Sequence, residues 1–206
     1  NKKGVKLLSL DEARLNKSKL QFEKTYTPKV PKFIGKRIFK NIDLNIIAPY
    51  IDWSPFFQTW DLVGFYPAIL NDPVVGKSAT QVFNEAQTML TKLINNRALT
   101  ANGVVAFYPA NSVDDDIEIY EDESRTKTLF TYYGLRQQSE KPKVDNIQKP
   151  NQCLSDFIAP KSSGVKDYIG VFAVTSGLGM EKYEKEFQSK NDDYSSIMFK
   201  SLADRL

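Results

Sequence analysis

A series of β-branched and aromatic segments in the middle of the chain most strongly limits the folds available to it. Residues 103–110 (GVVAFYPA), 117–120 (IEIY) and 126–133 (TKTLFTYY) have the composition of strands, and short polar stretches separate them. Residues 168–176 (YIGVFAVTS) predict a fourth strand. Because strands joined by short connections pair antiparallel, this region predicts an antiparallel sheet.

Helix signals lie on both sides of the predicted strands. Apolar residues recur at three- and four-residue spacing over residues 82–94, which predicts an amphipathic helix that ends near Asn95. Ser54-Pro55 has the pattern of an N-cap followed by proline at the first helical position, and the helix it begins should end near Gly64. Three further helices are predicted over about residues 10–17, over 180–188, and after a cap at 191–193.

The composition excludes several kinds of chemistry. The chain has 206 residues, one cysteine and no histidine, so it lacks Ser-His and Cys-His catalytic pairs and imidazole metal ligands. A zinc site would need several such ligands, and we predict no metal site. Cys153 cannot form an internal disulfide, and no apolar run has the length of a membrane span or the pattern of a secretory leader. We therefore expect a cytoplasmic protein that does not contact a membrane.

Positive charge is concentrated at the start of the chain. Residues 1–40 hold ten lysines and two arginines against three acidic residues, a balance of +9, whereas the rest of the chain sums to −6. A basic arm of this kind suits a solvated linker, a nucleic-acid contact or an acidic protein partner. We expect it to be a lead-in that does not form part of a core.

Three short motifs could carry chemistry, and each also has a structural interpretation, which we favour. The acidic run 113–122 (VDDDIEIYED) could bind Mg²⁺ or Ca²⁺, or could be a turn followed by a strand with an acidic face. The stretch 176–180 (SGLGM) lacks the third glycine of a phosphate-binding motif, so a tight strand-to-helix turn explains its glycines better. The stretch 159–164 (APKSSG) could pair a serine nucleophile with lysine, but its composition is that of a loop.

The richest candidate site is the window 52–62 (DWSPFFQTWDL). Trp53 and Phe56 offer large aromatic surfaces, and Asp52 can accept hydrogen bonds from a hydroxyl, an amine or an ammonium group. An aromatic wall beside one carboxylate suits a small cationic or ribose-bearing ligand. The alternative is that Asp52 only caps the helix and that the aromatic residues are core. The residues alone leave both interpretations open.

Six motifs, in order along the chain, resemble the activation domain of cobalamin-dependent methionine synthase. The resemblance runs from about residue 20 to residue 206, and the motifs are YIDWSPFFQTW, GFYPAIL, NGVVAFYPANSVDDDIEIY, LRQQ, LSDFIAPKSSGVKDYIGVFAVTSG and NDDYSSIMFKSLADRL. It implies a basic linker over residues 1–20 and an activation domain over 21–206. The fold implied is a single C-shaped α/β domain, built on a twisted antiparallel sheet with flanking helices.

The resemblance also implies a function within a larger methyltransferase. The whole enzyme moves a methyl group from methyltetrahydrofolate to homocysteine through cobalamin, in methionine biosynthesis. The activation domain presents S-adenosylmethionine when the cobalamin has been oxidised to inactive cob(II)alamin, and a flavodoxin-like donor supplies one electron. Cobalamin and zinc are expected in other domains of the full-length protein. The implied partners are the cobalamin-binding module of the same polypeptide and the electron donor, with no nucleic acid.

The resemblance assigns roles to particular residues. Asp52 matches the S-adenosylmethionine-binding aspartate of the family motif I-D-W-[ST]-P-F-F, and Trp53 and Phe56 are candidate walls of that pocket. The family's second binding motif, R-P-x-P-G-Y, does not occur in this chain, so we expect an activation domain that is incomplete at its C-terminal side, binds the ligand weakly and is inactive alone. Asp204 is our candidate for docking onto the cobalamin module.

A second hypothesis comes from a different class of protein. The basic arm of a non-enzymatic binding module would contact nucleic acid or an acidic protein, and the aromatic residues would stack on bases. The basic residues lie in the lead-in, whereas the aromatic residues come later, among acidic and apolar neighbours, and follow the periodicity of a core. Both features disfavour this hypothesis.

Overall fold

The computed structural model describes residues 6–22, 26–144 and 147–206. Its α-helices are α1 (Leu10–Leu15), α2 (Leu44–Ile47), α3 (Trp53–Gln58), α4 (Gly76–Asn95), α5 (Met180–Ser189) and α6 (Asp193–Ala203). Its strands are β1 (Gly35–Ile42), β2 (Thr100–Val113), β3 (Asp116–Tyr120), β4 (Thr128–Tyr132), β5 (Lys143–Val144), β6 (Ile147–Gln148) and β7 (Asp167–Leu178). Short 3₁₀ helices lie at Ala48–Tyr50, Ala68–Asn71, Leu154–Phe157 and Lys161–Ser163.

The main sheet has the strand order β1-β2-β3-β4, and β7 also pairs with β2. The pairing of β2 with β3 is antiparallel and places Ala110 opposite Ile119. The pairing of β3 with β4 is also antiparallel and places Ile117 opposite Tyr132. The predicted class, a mixed α/β fold with an antiparallel sheet and flanking helices, is confirmed, and so are the four predicted strands.

Three strands were not predicted. Strand β1 lies partly inside the basic segment, and most of its residues are exposed, so the sequence lacks the alternation of buried and exposed residues that marks a half-buried strand. Strands β5 and β6 form a two-stranded antiparallel pair within residues 139–152, a polar stretch with two prolines. Each is only two residues long, which is too short to leave a periodic pattern.

The chain divides into two compact units. Unit 1 comprises residues 1–37 and 105–171, and unit 2 comprises residues 38–104 and 172–206. The chain passes from one unit to the other after residues 37, 104 and 171, and the predicted boundary at residue 20 is not one of these positions. Where the family domain begins in this chain stays a prediction.

The described part of the basic lead-in belongs to unit 1. The predicted capping box forms at α1, where the Glu12 backbone N–H donates to Ser9 Oγ and the Ser9 backbone N–H donates to Glu12 Oε2. Ala13 is fully buried, and the Leu8 backbone N–H donates to the carbonyl oxygen of Gln138 at 2.8 Å. These contacts attach residues 8–13 to the unit, but Ala13 is the single buried residue among residues 6–22. The described lead-in therefore lies mainly on the surface of unit 1, as expected, and adds one small side chain to its interior.

The larger hydrophobic core lies in unit 2. Helix α4 contributes Ala86, Leu90 and Leu93 to it, as the predicted apolar face requires, and ends at Asn95 as predicted. Helix α6 contributes Phe199 and Leu202. Unit 1 has a smaller cluster of buried apolar residues on strands β2 and β3, made of Ala110, Ile117 and Ile119. None of the described helices is long and apolar enough to cross a membrane.

Candidate functional site

Asp52 stands between the 3₁₀ helix Ala48–Tyr50 and helix α3. Its Oδ1 accepts a hydrogen bond from the Ser54 backbone N–H at 3.0 Å, which makes Asp52 the N-cap of α3. Aspartate is among the preferred N-caps because its side chain satisfies an N–H group that has no partner within the helix. The residue nevertheless remains exposed. The sequence analysis left capping and ligand binding open as alternative roles of Asp52. Its exposed carboxylate is compatible with both roles at once.

The predicted start of this helix is therefore wrong by two residues. Ser54 is the second helical residue and not the N-cap, and Pro55 is the third. Proline is tolerated there because the first-turn N–H groups have no acceptor within the helix. The helix ends at Gln58, well before the predicted end near Gly64.

The two predicted wall residues lie mainly in the core of unit 2. Phe56 is completely buried and Trp53 is 8% exposed. Trp53 makes edge-to-face contacts with Phe56, at 5.2 Å between ring centroids, and with Phe83 at 4.9 Å. Contact of Phe56 with a ligand would require the core to open. A role for these rings as pocket walls stays a prediction.

Tyr66 is a nearby aromatic residue that the sequence reasoning missed. Its backbone N–H donates to Ser54 Oγ at 3.1 Å, which ties it to the first turn of α3 beside Asp52. The Tyr66 ring packs on Phe83, 5.4 Å between centroids, and on Phe57 at 6.5 Å. It keeps 39% of its surface exposed. The sequence gives no sign of this proximity, because Ser54 and Tyr66 are twelve positions apart.

The acidic run 113–122 is engaged in ion pairs of unit 1. Asp115 accepts from Arg136 Nε and from Arg14 Nε, each at 2.8 Å. Burial alone would raise the pKa of Asp115, but the hydrogen bonds from the two arginines outweigh it and lower that pKa. Glu118 pairs with Lys161 at 2.7 Å. The structural interpretation of this run is confirmed, because its buried carboxylate neutralises arginines.

The other two motifs also have structural roles. Gly179 has φ +97° and is the N-cap residue of α5, which is the tight turn that the sequence predicted. In the stretch 159–164, Lys161 pairs with Glu118 and Ser163 Oγ donates to the carbonyl oxygen of Pro160 at 2.6 Å. Ser163 and Lys161 therefore have separate partners, which supports the structural interpretation of this stretch.

Asp204, the predicted docking residue, is the C-cap of α6 and is exposed. The three residues before it are buried, and Ser176 Oγ donates to the carbonyl oxygen of Ala203 at 2.7 Å. Helix α6 ends at Ala203. The docking role of Asp204 stays a prediction.

An exposed carboxylate at a helix start and a half-exposed tyrosine beside it are groups that a small-ligand-binding class of protein can use. Comparison with known proteins makes this class specific. The chain belongs to the family described as vitamin B12 dependent methionine synthase, activation domain, whose model matches residues 43–206.

A solved structure supports the same assignment. The structure titled "Crystal Structure of the MetH Reactivation Domain bound to AdoHcy" is similar to this chain, with 45% sequence identity and a TM-score of 0.85. The match covers 97% of this chain and 59% of that chain, so this chain spans about six-tenths of the length of the similar one. These comparisons do not favour the nucleic-acid or acidic-protein binding module.

Proposed function

We propose that this chain is the S-adenosylmethionine-binding part of a methionine synthase reactivation module. It would hold S-adenosylmethionine for transfer of its methyl group to cobalamin that another domain of the full-length protein carries. The complete protein would then transfer methyl groups from methyltetrahydrofolate to homocysteine. Family membership and a similar structure described as bound to AdoHcy support the ligand class.

The observation that carries the proposal is the exposed carboxylate of Asp52 at the start of α3. S-adenosylmethionine has an ammonium group and ribose hydroxyls, which are donors, and a sulfonium with a positive charge. Oδ1 of Asp52 accepts from the Ser54 N–H at 3.0 Å, and a carboxylate has enough lone pairs to accept from a ligand as well. The donor set of the ligand therefore fits the acceptor that the chain offers.

Tyr66 supplies an aromatic surface beside this carboxylate. An aromatic face attracts cations and stacks on planar rings. The ring is held from behind by Phe83 and Phe57, so little further side-chain freedom would be lost when a ligand contacts it. We assign Tyr66 a contact with the sulfonium or the adenine, next to the hydrogen bonds that Asp52 accepts.

The remaining partners follow from the family. The cobalamin-binding module of the same polypeptide would dock on a surface that includes Asp204, and a flavodoxin-like donor would supply the electron. Bound cobalamin supplies the methyl-accepting metal, and zinc belongs to another part of the complete enzyme. The role of this chain is to bind and orient the methyl donor.

Calorimetric titration with S-adenosylmethionine tests the assignment of Asp52. Asp52→Asn keeps a good N-cap but removes the negative charge, so we expect an affinity about tenfold lower, as befits the loss of one charge-assisted hydrogen bond. Asp43→Asn is the matched control, because Asp43 is also an exposed N-cap in unit 2 and accepts from the Asn45 N–H at 2.9 Å.

A chain extended to the full length of the similar reactivation domain should be titrated alongside. We expect it to bind S-adenosylmethionine at least about tenfold more tightly, because it would add the second binding motif of the family. Equal affinity for wild type and Asp52→Asn in both chains would exclude Asp52 from the site. No binding by either wild-type chain would refute the proposed function itself.

A further inference from the structure

A cavity of about 650 Å³ lies within unit 1, apart from the candidate site at Asp52. Its lining comes from residues 17–22 after α1, from residues 112–114 at the end of β2, and from residues 155–162 around two 3₁₀ helices. Cavities of about 300–1,000 Å³ are typical of small-molecule sites. We refer to it as the lysine cavity, after the three lysines in its lining, Lys17, Lys19 and Lys161.

Hydrogen bonds fix the frame of the lysine cavity. Asn16 Nδ2 donates to the Asn151 side chain at 2.7 Å and to the carbonyl oxygen of Lys149 at 3.0 Å, which anchors the chain where the first lining segment begins. Ser112 Oγ donates to the carbonyl oxygen of Ile158 at 2.8 Å, which ties the second segment to the third. A ligand would therefore meet walls that are largely preformed.

The cavity carries an excess of unneutralised positive charge. Lys17 and Lys19 form no ion pair with another described residue, whereas Lys161 is neutralised by Glu118 at 2.7 Å. Asp114 is the opposing carboxylate in the lining that has no ion pair with a described residue. Among the described residues, the lining thus holds two lysines without an ion pair against one such aspartate.

The second carboxylate of the lining, Asp156, does not change this balance. Both of its oxygens accept from Arg136, at 2.7 and 3.0 Å, so its charge is neutralised from within the protein.

Ser155 is an independent indication that a polar ligand enters this cavity. The residue lines the cavity and is 2% exposed, and its hydroxyl oxygen has no hydrogen-bond partner among the described residues. A buried hydroxyl without a partner costs about 1–3 kcal/mol. A ligand oxygen that reaches it would remove this cost and gain a hydrogen bond.

Part of the lining is apolar. Leu20 and Val113 are 48% and 38% exposed, and Phe22 and Ile158 also line the cavity. An ion as small as free phosphate would leave this surface uncovered, whereas a molecule with an apolar group would bury it.

We propose that the lysine cavity binds a small organic anion, of the class of phosphate monoesters with an apolar substituent. Lys17, Lys19 and the hydroxyl of Ser155 bind the anionic group, and Leu20, Phe22 and Ile158 contact the substituent. The proposal does not depend on S-adenosylmethionine binding, because Asp52 belongs to the other unit.

The test is a titration of the 206-residue chain with phenyl phosphate, followed by amide NMR shifts. Inorganic phosphate and benzyl alcohol, tested separately, measure the anionic and the apolar contributions. We expect phenyl phosphate to shift the amides of residues 17–20 and 155–162 and to bind more tightly than either probe. The double variant Lys17→Met/Lys19→Met should weaken phenyl phosphate binding about fivefold. Lys166→Met is the matched control, since Lys166 is an exposed lysine outside the lining, and it should leave the affinity unchanged.

Ser155→Ala separates a ligand group from a merely unsatisfied hydroxyl. If Ser155 binds the anion, the variant should weaken phenyl phosphate binding about three- to tenfold. An unchanged affinity together with raised thermal stability would overturn the proposal. The proposal would also be overturned if the amides of residues 17–20 and 155–162 did not shift at about 10 mM phenyl phosphate, which is tenfold above a millimolar Kd. A loss of affinity in Lys166→Met equal to that of the double lysine variant would overturn it as well.

Discussion

Replacing Arg136 with methionine should strongly destabilise unit 1. The Arg136 side chain is 1% exposed and lies between Asp115 and Asp156, whose side chains are 10% and 4% exposed. It donates to both carboxylates and to the carbonyl oxygen of Asn151, with distances of 2.7–3.0 Å. Hydrogen bonding to Asp156 is the main cause that raises the pKa of Arg136. The guanidinium therefore stays charged at any pH at which the fold exists.

The size of this loss of stability depends on which carboxylates lose their hydrogen-bond donor when Arg136 is replaced. Asp115 would keep its hydrogen bond from Arg14 at 2.8 Å. Among the described residues, Asp156 would keep as its donor only the Cys153 backbone N–H, at 3.0 Å. It would then be a nearly buried charge with no counter-ion among those residues. Removing one partner of a buried ion pair costs about 3–5 kcal/mol. For a chain of this length that loss corresponds to a fall in Tm of roughly 10 °C.

Hydrogen exchange read by mass spectrometry is the appropriate assay, because it resolves the two units. Both tryptophans, Trp53 and Trp60, belong to unit 2, so their fluorescence would not report on unit 1. We expect Arg136→Met to reduce protection over residues 110–120, and urea unfolding followed by circular dichroism should give the free energy. The control is Arg205→Met, at an exposed arginine, with a cost below about 0.5 kcal/mol. A loss below about 1 kcal/mol for Arg136→Met would show that the buried network adds little to stability.

Three further predictions use other features of the same structure. A Cβ at Gly134 would overlap the backbone oxygen of Asp115, so Gly134→Ala should lower the unfolding free energy measured in urea by about 3 kcal/mol or more. The control is Gly177→Ala, where a Cβ would meet open space, and it should change the unfolding free energy by no more than about 0.5 kcal/mol. The pKa of Asp115 is lowered in the folded chain, so this carboxylate contributes stability above its unfolded pKa of about 3.9, and the contribution is lost as the pH falls through the lower folded pKa. Asp115→Asn should therefore reduce the dependence of the unfolding free energy on pH in the acid range. An unchanged pH dependence in that range would contradict this prediction. Tyr66→Leu should weaken S-adenosylmethionine binding about three- to fivefold in calorimetry, and Tyr132→Leu, at a tyrosine of nearly equal exposure (38%) in unit 1, should not.

Regular elements could be predicted from the sequence because their signals are local. The apolar face of α4, the capping box of α1 and the N-cap Asp192 of α6 each depend on residues within a few positions of one another. The predicted start of α3 was wrong because two adequate capping residues, Asp52 and Ser54, lie only two positions apart. In the folded chain Asp52 caps the helix, and Ser54 Oγ accepts a hydrogen bond from the backbone N–H of Tyr66, which is distant in the sequence.

What could not be predicted depends on contacts between distant parts of the chain. Arg136 neutralises an aspartate 21 residues before it and another 20 residues after it, and no local pattern marks such a pair. The Asn16 anchor of the lead-in reaches residues 149 and 151. For the candidate site, the family motif identified Asp52, but the burial of Phe56 and the proximity of Tyr66 could be read only from the folded chain.

The central claim is that S-adenosylmethionine binds at the start of α3 in this chain. The most direct measurement is an amide NMR titration of the 206-residue chain with S-adenosylmethionine, which locates the ligand even when binding is weak. The account predicts that the largest shifts fall at residues 52–54 and 64–66 and that Asp52→Asn removes them at the same ligand concentration. Saturable shifts elsewhere, with residues 52–54 and 64–66 unaffected, would contradict it.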